Sequence, residues 1–175
     1  LGYPAAAITG ERGSWGYGLS VAATKPDGSV ADFSSHNSHI SVAAPAAGMT
    51  RCQQGVFSTI PNATIASAFD YNKCRRNFNG LGSSAGRYAF STGTSYASPL
   101  VASVGALALT ANPSLDADQA ASVVAHSARQ RKLPAGWNEF TGYGDVDAMA
   151  AVDAARAYST ADPKIQVAAK RGRRG

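Results

Sequence analysis

The most informative segment of the chain reads Gly93-Thr94-Ser95-Tyr96-Ala97-Ser98-Pro99 and continues as an apolar run to Ala111. Between residues 100 and 109 only Ser103 is polar, so the pattern predicts a long helix that is buried on nearly all sides. Polar residues at the beginning of a buried helix need an explanation, and a reactive site would be one. The N-terminus of a helix presents free backbone N–H groups and a partial positive charge, which stabilise a developing oxyanion.

Ser95 is the strongest candidate for a reactive residue. A lone serine at this place would be read as an N-cap, a role that serine commonly fills. The turn formed by Gly93 and Thr94 before it, and the apolar helix after it, favour a nucleophile instead. Pro99 has no N–H to give to the Ser95 carbonyl and would crowd it, which predicts an irregular first turn at the serine.

Composition indicates one tightly packed domain. At 175 residues the chain is long enough for a substantial core, and 45% of its residues are hydrophobic against 15% charged, which excludes a disordered or coiled-coil protein. No apolar stretch approaches the roughly 20 residues that span a bilayer. The chain opens without an initiator Met or a basic-then-apolar leader, so we expect a processed or excised piece.

Apolar runs separated by turns predict four strands, at residues 19–24, 39–44, 55–60 and 87–91. A second helix is predicted from about residue 116 to 129, with Ser114 and Asp116 as candidate caps, and an Ala-rich third helix from 147 to 158. Short buried strands followed by a cluster of helices predict part of an α/β domain.

The net charge of +5 belongs to the C-terminal end. Five positive charges lie there, and without them the body is close to neutral: Lys164, Lys170, Arg171, Arg173 and Arg174. We therefore divide the chain into a domain over residues 1–158 and a basic flexible tail or linker over residues 159–175. A solvated linker is the favoured interpretation of the tail, and attachment to nucleic acid or to a membrane surface is the alternative.

Two cysteines, Cys52 and Cys74, flank a mostly polar loop. An even count in a Cys-poor chain predicts one disulfide, which would stabilise the fold by roughly 3 kcal/mol and would fit an exported protein. Two free buried thiols are the alternative. No metal site is expected, because two thiols without nearby histidine or CxxC spacing do not supply four ligands.

Three histidines are the candidates for a base that would activate Ser95. His36 and His39 lie around a polar loop and a strand start, and His126 lies on a predicted helix. We expect each of them to be a surface residue or a structurally satisfied one, because none belongs to a recognisable catalytic pattern.

The order of segments resembles the subtilisin-like serine proteases, the subtilase (peptidase S8) family. Gly-Thr-Ser-x-Ala-x-Pro before a small-residue helix is similar to the family's nucleophile segment, with Ser95 as the nucleophile. Residues 19–45, with their Phe-Ser-Ser loop, are similar to the stretch before it, and the closing segment is Gly142-Tyr143-Gly144-Asp145-Val146-Asp147-Ala148. The similarity covers about residues 19–155. Leu100 and Ser103 depart from the family's usual residues, which predicts altered packing.

The resemblance implies the C-terminal part of a three-layer α/β/α domain, with a mainly parallel sheet and a buried helix that carries the nucleophile. It implies a secreted or cell-envelope serine endopeptidase that cleaves polypeptides through an acyl-enzyme on Ser95, whose backbone N–H also serves the oxyanion hole. The family's Asp, His and oxyanion Asn precede the serine, and no such motifs occur here. We therefore expect an N-terminal half of the same catalytic domain as partner, and an inactive chain in its absence.

The alternative function is a non-catalytic subtilase-like domain used for binding or scaffolding. An upstream half that lacks the Asp or the His would establish it. No cofactor is implied, and the resemblance leaves open a structural calcium ion in the complete domain. We expect no nucleic-acid partner and no membrane-spanning segment.

Overall fold

The structure, a computed structural model, describes residues 18–48, 55–59 and 88–158. Four strands precede three helices: β1 (Val21–Thr24), β2 (Val42–Pro45), β3 (Val56–Thr59), β4 (Tyr88–Ser91), α1 (Thr94–Ala111), α2 (Ala117–Ser127) and α3 (Ala148–Ala157). All seven predicted elements are confirmed, although β2 begins later than predicted and includes Pro45. The predicted disulfide and the basic tail both lie outside the described residues.

β1 and β2 form a parallel pair in which Val21 lies opposite Val42. A third segment continues the pairing beyond β2, because Ala43 donates its N–H to the Gly144 carbonyl at 2.8 Å and accepts the N–H of Val146 at 2.9 Å. The alanines of β1 and β2 are fully buried, as expected for parallel strands covered on both faces. β3 and β4 form a separate antiparallel pair.

The three helices pack on one face of the parallel pair, with α1 in contact with β1, β2, α2 and α3. Small and β-branched side chains fill this core, among them Ala23, Val42, Ala44, Val101, Val104, Ala108, Val123, Val124, Ala151 and Ala155. A smaller cluster of Ala22, Ile40 and Ala43 lies on the opposite face, in accordance with the alternation of strand side chains.

Local capping fixes the start of α2. The Asp116 carboxylate accepts the N–H of Gln119 at 2.8 Å, and the Gln119 side chain accepts the N–H of Asp116 at 2.9 Å. This reciprocal pair satisfies two donors that a helix start would otherwise leave without partners. Ser114 is not a cap, because its hydroxyl donates to the Asn112 side chain at 2.6 Å.

The burial predicted for α1 is wrong. One face is buried, through Ala97, Val101, Val104 and Ala108. Leu100, Leu107 and Leu109 are 38%, 48% and 41% exposed. An apolar pattern shows that a helix can be covered all round, but it does not show which element covers each side, and the described sheet and helices cover only one.

By length and composition, α1 is the one helix among the described residues that could cross a membrane. Its contacts with two strands and two helices indicate instead the central helix of an α/β domain, which passes the same test of hydropathy.

Candidate active site

Ser95 is the second residue of α1 and is exposed. Gly93 is the N-cap, with φ 149° and ψ 153°, a conformation that residues with a side chain rarely adopt. No side chain caps the helix, and the first N–H to reach the Gly93 carbonyl is that of Tyr96, at 3.0 Å. The N–H groups of Thr94 and Ser95 therefore have no acceptor among the described residues, and they lie at the positive end of α1.

A single backbone hydrogen bond among the described residues joins this turn to the parallel pair. Gly93 donates its N–H to the Ala46 carbonyl at 3.0 Å. Ala46 and Ala47 follow β2, and both donate their N–H groups to the carbonyl of Thr24, the last residue of β1, at 3.0 and 3.1 Å. The carboxyl ends of two parallel strands thus set the place where α1 begins, and this edge is where sites of open α/β sheets lie.

Pro99 lies inside α1, four residues after Ser95. The helix runs without interruption from Thr94, but the hydrogen bonding of its first turn is irregular, because the Gly93 carbonyl accepts the N–H of Tyr96 at 3.0 Å and that of Ala97 only at 3.4 Å. Since proline has no N–H, the Ser95 carbonyl still lacks the donor that an ordinary helix would supply.

None of the described histidines is hydrogen-bonded to Ser95. The Nδ1 atom of His39 is buried and has no hydrogen-bond partner among the described residues, and the other two histidines have partners away from the serine. The Nδ1 atom of His126 lies 2.9 Å from the Ser122 carbonyl oxygen. The ring of His36 lies 3.8 Å from the Glu139 carboxylate. The described residues thus bring together a serine and backbone donors without a base.

A buried carboxylate, Asp145, lies behind this edge of the strands, and sequence analysis did not single it out. It is 7% exposed, and its Oδ1 atom accepts the hydroxyl of Thr24 at 2.5 Å. Its Oδ2 atom has no hydrogen-bond donor in the described part of the chain, and the Arg131 guanidinium lies 3.7 Å away. The sequence did contain a sign of this buried carboxylate, because an acidic residue lies between Gly144 and Val146 in a segment that pairs like a strand.

Burial raises the pKa of Asp145 above its ordinary value of 3.8, and the Thr24 hydroxyl, Arg131 and Arg129 offset only part of this rise. A carboxyl group whose pKa is raised by folding stabilises the fold most when it is protonated, and less as the pH increases through its folded pKa.

We expect Asp145→Asn to gain stability relative to the wild type as the pH rises from about 4 to about 7, because the variant does not titrate there. Urea unfolding of both chains over this pH range measures the difference in the free energy of unfolding. Taking the difference cancels the titration of all other groups. A difference that stays constant or moves in the opposite direction would contradict the prediction.

The model of the subtilase family matches residues 1–144. A protease from Pseudoalteromonas arctica PAMC 21717 is 29% identical, with a TM-score of 0.59 over 79% of this chain and 36% of its own. Fervidolysin from Fervidobacterium pennivorans, a keratinolytic enzyme related to subtilisin, is also 29% identical, with a TM-score of 0.60 over 86% of this chain and 20% of its own.

The serine protease of Aeromonas sobria, in complex with its chaperone, shares the fold at 18% identity, with a TM-score of 0.66 over 86% of this chain and 31% of its own. No curated protein sequence matches the chain. The chain thus spans between 20% and 36% of the length of these three solved structures.

Proposed function

Since the chain belongs to the subtilase family, we propose that it is the nucleophile-bearing part of a secreted or cell-envelope serine endopeptidase, with Ser95 as the nucleophile. The observation that carries the proposal is the exposed Ser95 in the first turn of α1, beside backbone N–H groups that have no acceptor among the described residues. Acyl transfer requires a nucleophile close to an oxyanion donor, and Ser95 carries both, as its hydroxyl and its backbone N–H.

In the proposed reaction, the Ser95 Oγ atom attacks the carbonyl carbon of the scissile peptide bond while a histidine of the N-terminal half takes its proton. The oxygen of the tetrahedral intermediate then accepts the Ser95 N–H and a donor from that half. Cleavage of the C–N bond releases the amine, which takes the proton from the histidine. Water hydrolyses the acyl-enzyme through the same base and regenerates Ser95.

The exposed side of α1 supports an N-terminal half as the partner. This outer face consists of Leu100, Ser103, Leu107 and Thr110. The hydroxyls of Ser103 and Thr110 donate to the carbonyl oxygens four residues earlier, both at 2.8 Å. The polar groups of the outer face are thus satisfied inside the helix, so a partner can cover them without breaking a hydrogen bond.

A cavity of about 250 Å³ between β1, α1 and α2 supports the same partner. Apolar groups line most of it, including Leu19, Val21, Val101, Gly105 and Val124. β1 pairs with β2 along one edge. On its other edge Ala23 donates its N–H to the Ser34 hydroxyl at 3.0 Å and accepts the N–H of Ala31 at 2.9 Å. Before Ala23 no described strand pairs with this edge, and a further strand there would extend the sheet and could place apolar side chains in the cavity.

The proposal is tested with a fluorophosphonate probe, which labels activated serines. The chain is treated alone and after assembly with the polypeptide encoded upstream of residue 1, with intact mass as the readout and Ser95→Ala as the control. Labelling at Ser95 only in the assembly is the expected result. An assembly that forms but is not labelled would refute the catalytic proposal and favour a subtilase-like domain used for binding or scaffolding.

We expect Leu107→Asp to weaken binding to the N-terminal half by at least about 100-fold, because assembly would bury an unpaired carboxylate. The stability of the chain alone should fall by only about 1 kcal/mol, from the lower helix propensity of Asp, since Leu107 is 48% exposed in it. Titration calorimetry measures the affinity. Met149→Asp is the matched control, because Met149 is an apolar residue of α3 that is 69% exposed. If both variants lost binding equally, or if neither variant lost binding, the outer face would be excluded as the interface.

A further inference from the structure

We propose that Asp145 and Thr24 form a clamp that positions Ser95 for reaction. The proposal rests on Ser95 being the nucleophile, and it assigns Asp145 and Thr24 a positioning role without contact with the substrate. It follows from a continuous series of hydrogen bonds between a buried carboxylate and the turn that begins α1.

The first part of the clamp is the anchoring of Asp145. Its N–H donates to the Arg129 carbonyl at 3.0 Å, and its own carbonyl accepts the Arg129 N–H at 2.9 Å. Its neighbours in sequence, Gly144 and Val146, are bonded to Ala43 of β2. With its main chain held on both sides, the carboxylate is fixed in position when it accepts the Thr24 hydroxyl.

The second part is the end of the parallel pair. Thr24 lies opposite Pro45 in the register of β1 and β2. Ala43 of β2 donates its N–H to Gly144, so the next position on that side, Pro45, faces residues 144–146, where it has no N–H to donate. On the β1 side the ladder continues, because the Thr24 carbonyl accepts the N–H of Ala46. The hydrogen bond from the Thr24 side chain to Asp145 therefore joins β1 to the 144–146 segment where the pairing of that segment with β2 lacks a donor. Both side chains are buried, Thr24 at 1% and Asp145 at 7% exposure, so water does not compete effectively for this bond.

The third part leads to the catalytic turn. The Thr24 carbonyl receives the N–H groups of Ala46 and Ala47, and the Ala46 carbonyl receives the N–H of Gly93. Gly93 has a positive φ and lies two residues before Ser95. A displacement of Thr24 would displace Ala46 and, through Ala46, Gly93. The displacement of Gly93 would then move the Ser95 hydroxyl and the Ser95 N–H together. Small errors in the placement of a nucleophile lower kcat strongly.

The experiment compares variants that differ in one hydrogen bond. Thr24→Val removes the hydroxyl at nearly constant volume, Thr24→Ser keeps it, and Asp145→Asn keeps an oxygen that accepts it. Asp32→Asn is the control, because Asp32 pairs with Lys25 next to Thr24 but its side chain is 90% exposed. Two quantities are measured: the exchange rate of the Gly93 amide hydrogen in the chain, and kcat and KM for peptide hydrolysis in the assembly.

We expect Thr24→Val to accelerate Gly93 amide exchange about tenfold relative to the amides of α3, and to lower kcat about ten- to a hundredfold with KM within about twofold. Thr24→Ser, Asp145→Asn and Asp32→Asn should stay within about threefold of the wild type in both quantities. A Thr24→Val chain that is less stable overall, but has wild-type kcat and wild-type Gly93 exchange relative to α3, would reduce the clamp to a structural contact and overturn the proposal.

A measurement on the wild-type chain covers the case in which Thr24→Val does not fold. The clamp requires the amides of Ala46, Ala47 and Gly93 to exchange through one common opening, at rates within about threefold after correction for intrinsic exchange. Gly93 exchange at least about 100-fold faster than that of Ala46 would overturn the proposal. An assembly without peptidase activity would refute the assignment of Ser95 as the nucleophile. The hydrogen-exchange experiments would still show whether the clamp exists.

Discussion

Ser95→Ala should lower kcat for peptide hydrolysis by about 10⁶-fold in the assembly with the N-terminal half. This is the loss that follows removal of the nucleophile in subtilisin, where the oxyanion hole and substrate binding retain a residual rate. Because the outer face of α1 is unchanged, KM and the affinity for the N-terminal half should stay within about threefold. Steady-state hydrolysis of a peptide substrate measures kcat and KM, and titration calorimetry measures the affinity for the N-terminal half.

Ser114→Ala is the matched control for this experiment. Ser114 is an exposed serine between α1 and α2 whose hydroxyl donates to Asn112, and its removal should leave kcat within about threefold. If Ser95→Ala retained more than about a tenth of wild-type activity, another residue would have to be the nucleophile.

Gly142→Ala should have the largest effect on stability, with a loss of at least about 4 kcal/mol or complete failure to fold. Gly142 has φ +58°, and a Cβ atom there would lie 2.1 Å from the carbonyl oxygen of Ser41 and 2.8 Å from that of Ile40. Those atoms belong to the main chain just before β2, so they cannot move without displacing the parallel pair. Urea unfolding followed by circular dichroism measures the loss.

Gly136→Ala separates the two causes of this loss. Gly136 also has a positive φ, +99°, but a Cβ atom there would meet nothing within 4 Å among the described residues. Its substitution should therefore cost only about 1 kcal/mol, from backbone strain. Similar losses in the two variants would show that strain, and not the close approach of Gly142 to Ser41, determines the result.

Local patterns were sufficient to predict the secondary structure. The three helices and four strands follow from periodicity and turn residues, and the cap at Asp116 is visible in the sequence because its partner, Gln119, is three residues away. Pro45 shows the limit of such rules: it was expected to end β2 outside the strand, but it occupies the last strand position, where its missing N–H faces residues 144–146 and leaves the hydrogen bonds between β1 and β2 intact.

The interactions that position the candidate site could not be predicted in the same way. The bonds from Gly93 to Ala46 and from Thr24 to Asp145 join residues far apart in the chain, and no local periodicity encodes such pairs. The exposure of α1 was missed for a related physical reason. Hydropathy describes what a helix surface prefers to contact, whereas its accessible area depends on which other segments are present to contact it.

The separation of Thr24 and Asp145 along the chain has a consequence for biosynthesis. The two residues are 121 positions apart, which corresponds to roughly 10 s of translation at ordinary elongation rates. β1 leaves the ribosome first and remains without its side-chain acceptor until residue 145 has emerged, and closing so long a loop adds its own entropic cost. The turn that carries Ser95 is synthesised in between, so it acquires its final support only after it has been made. In the proposed enzyme, Ser95 would therefore gain the positioning that the clamp provides only after residue 145 has left the ribosome.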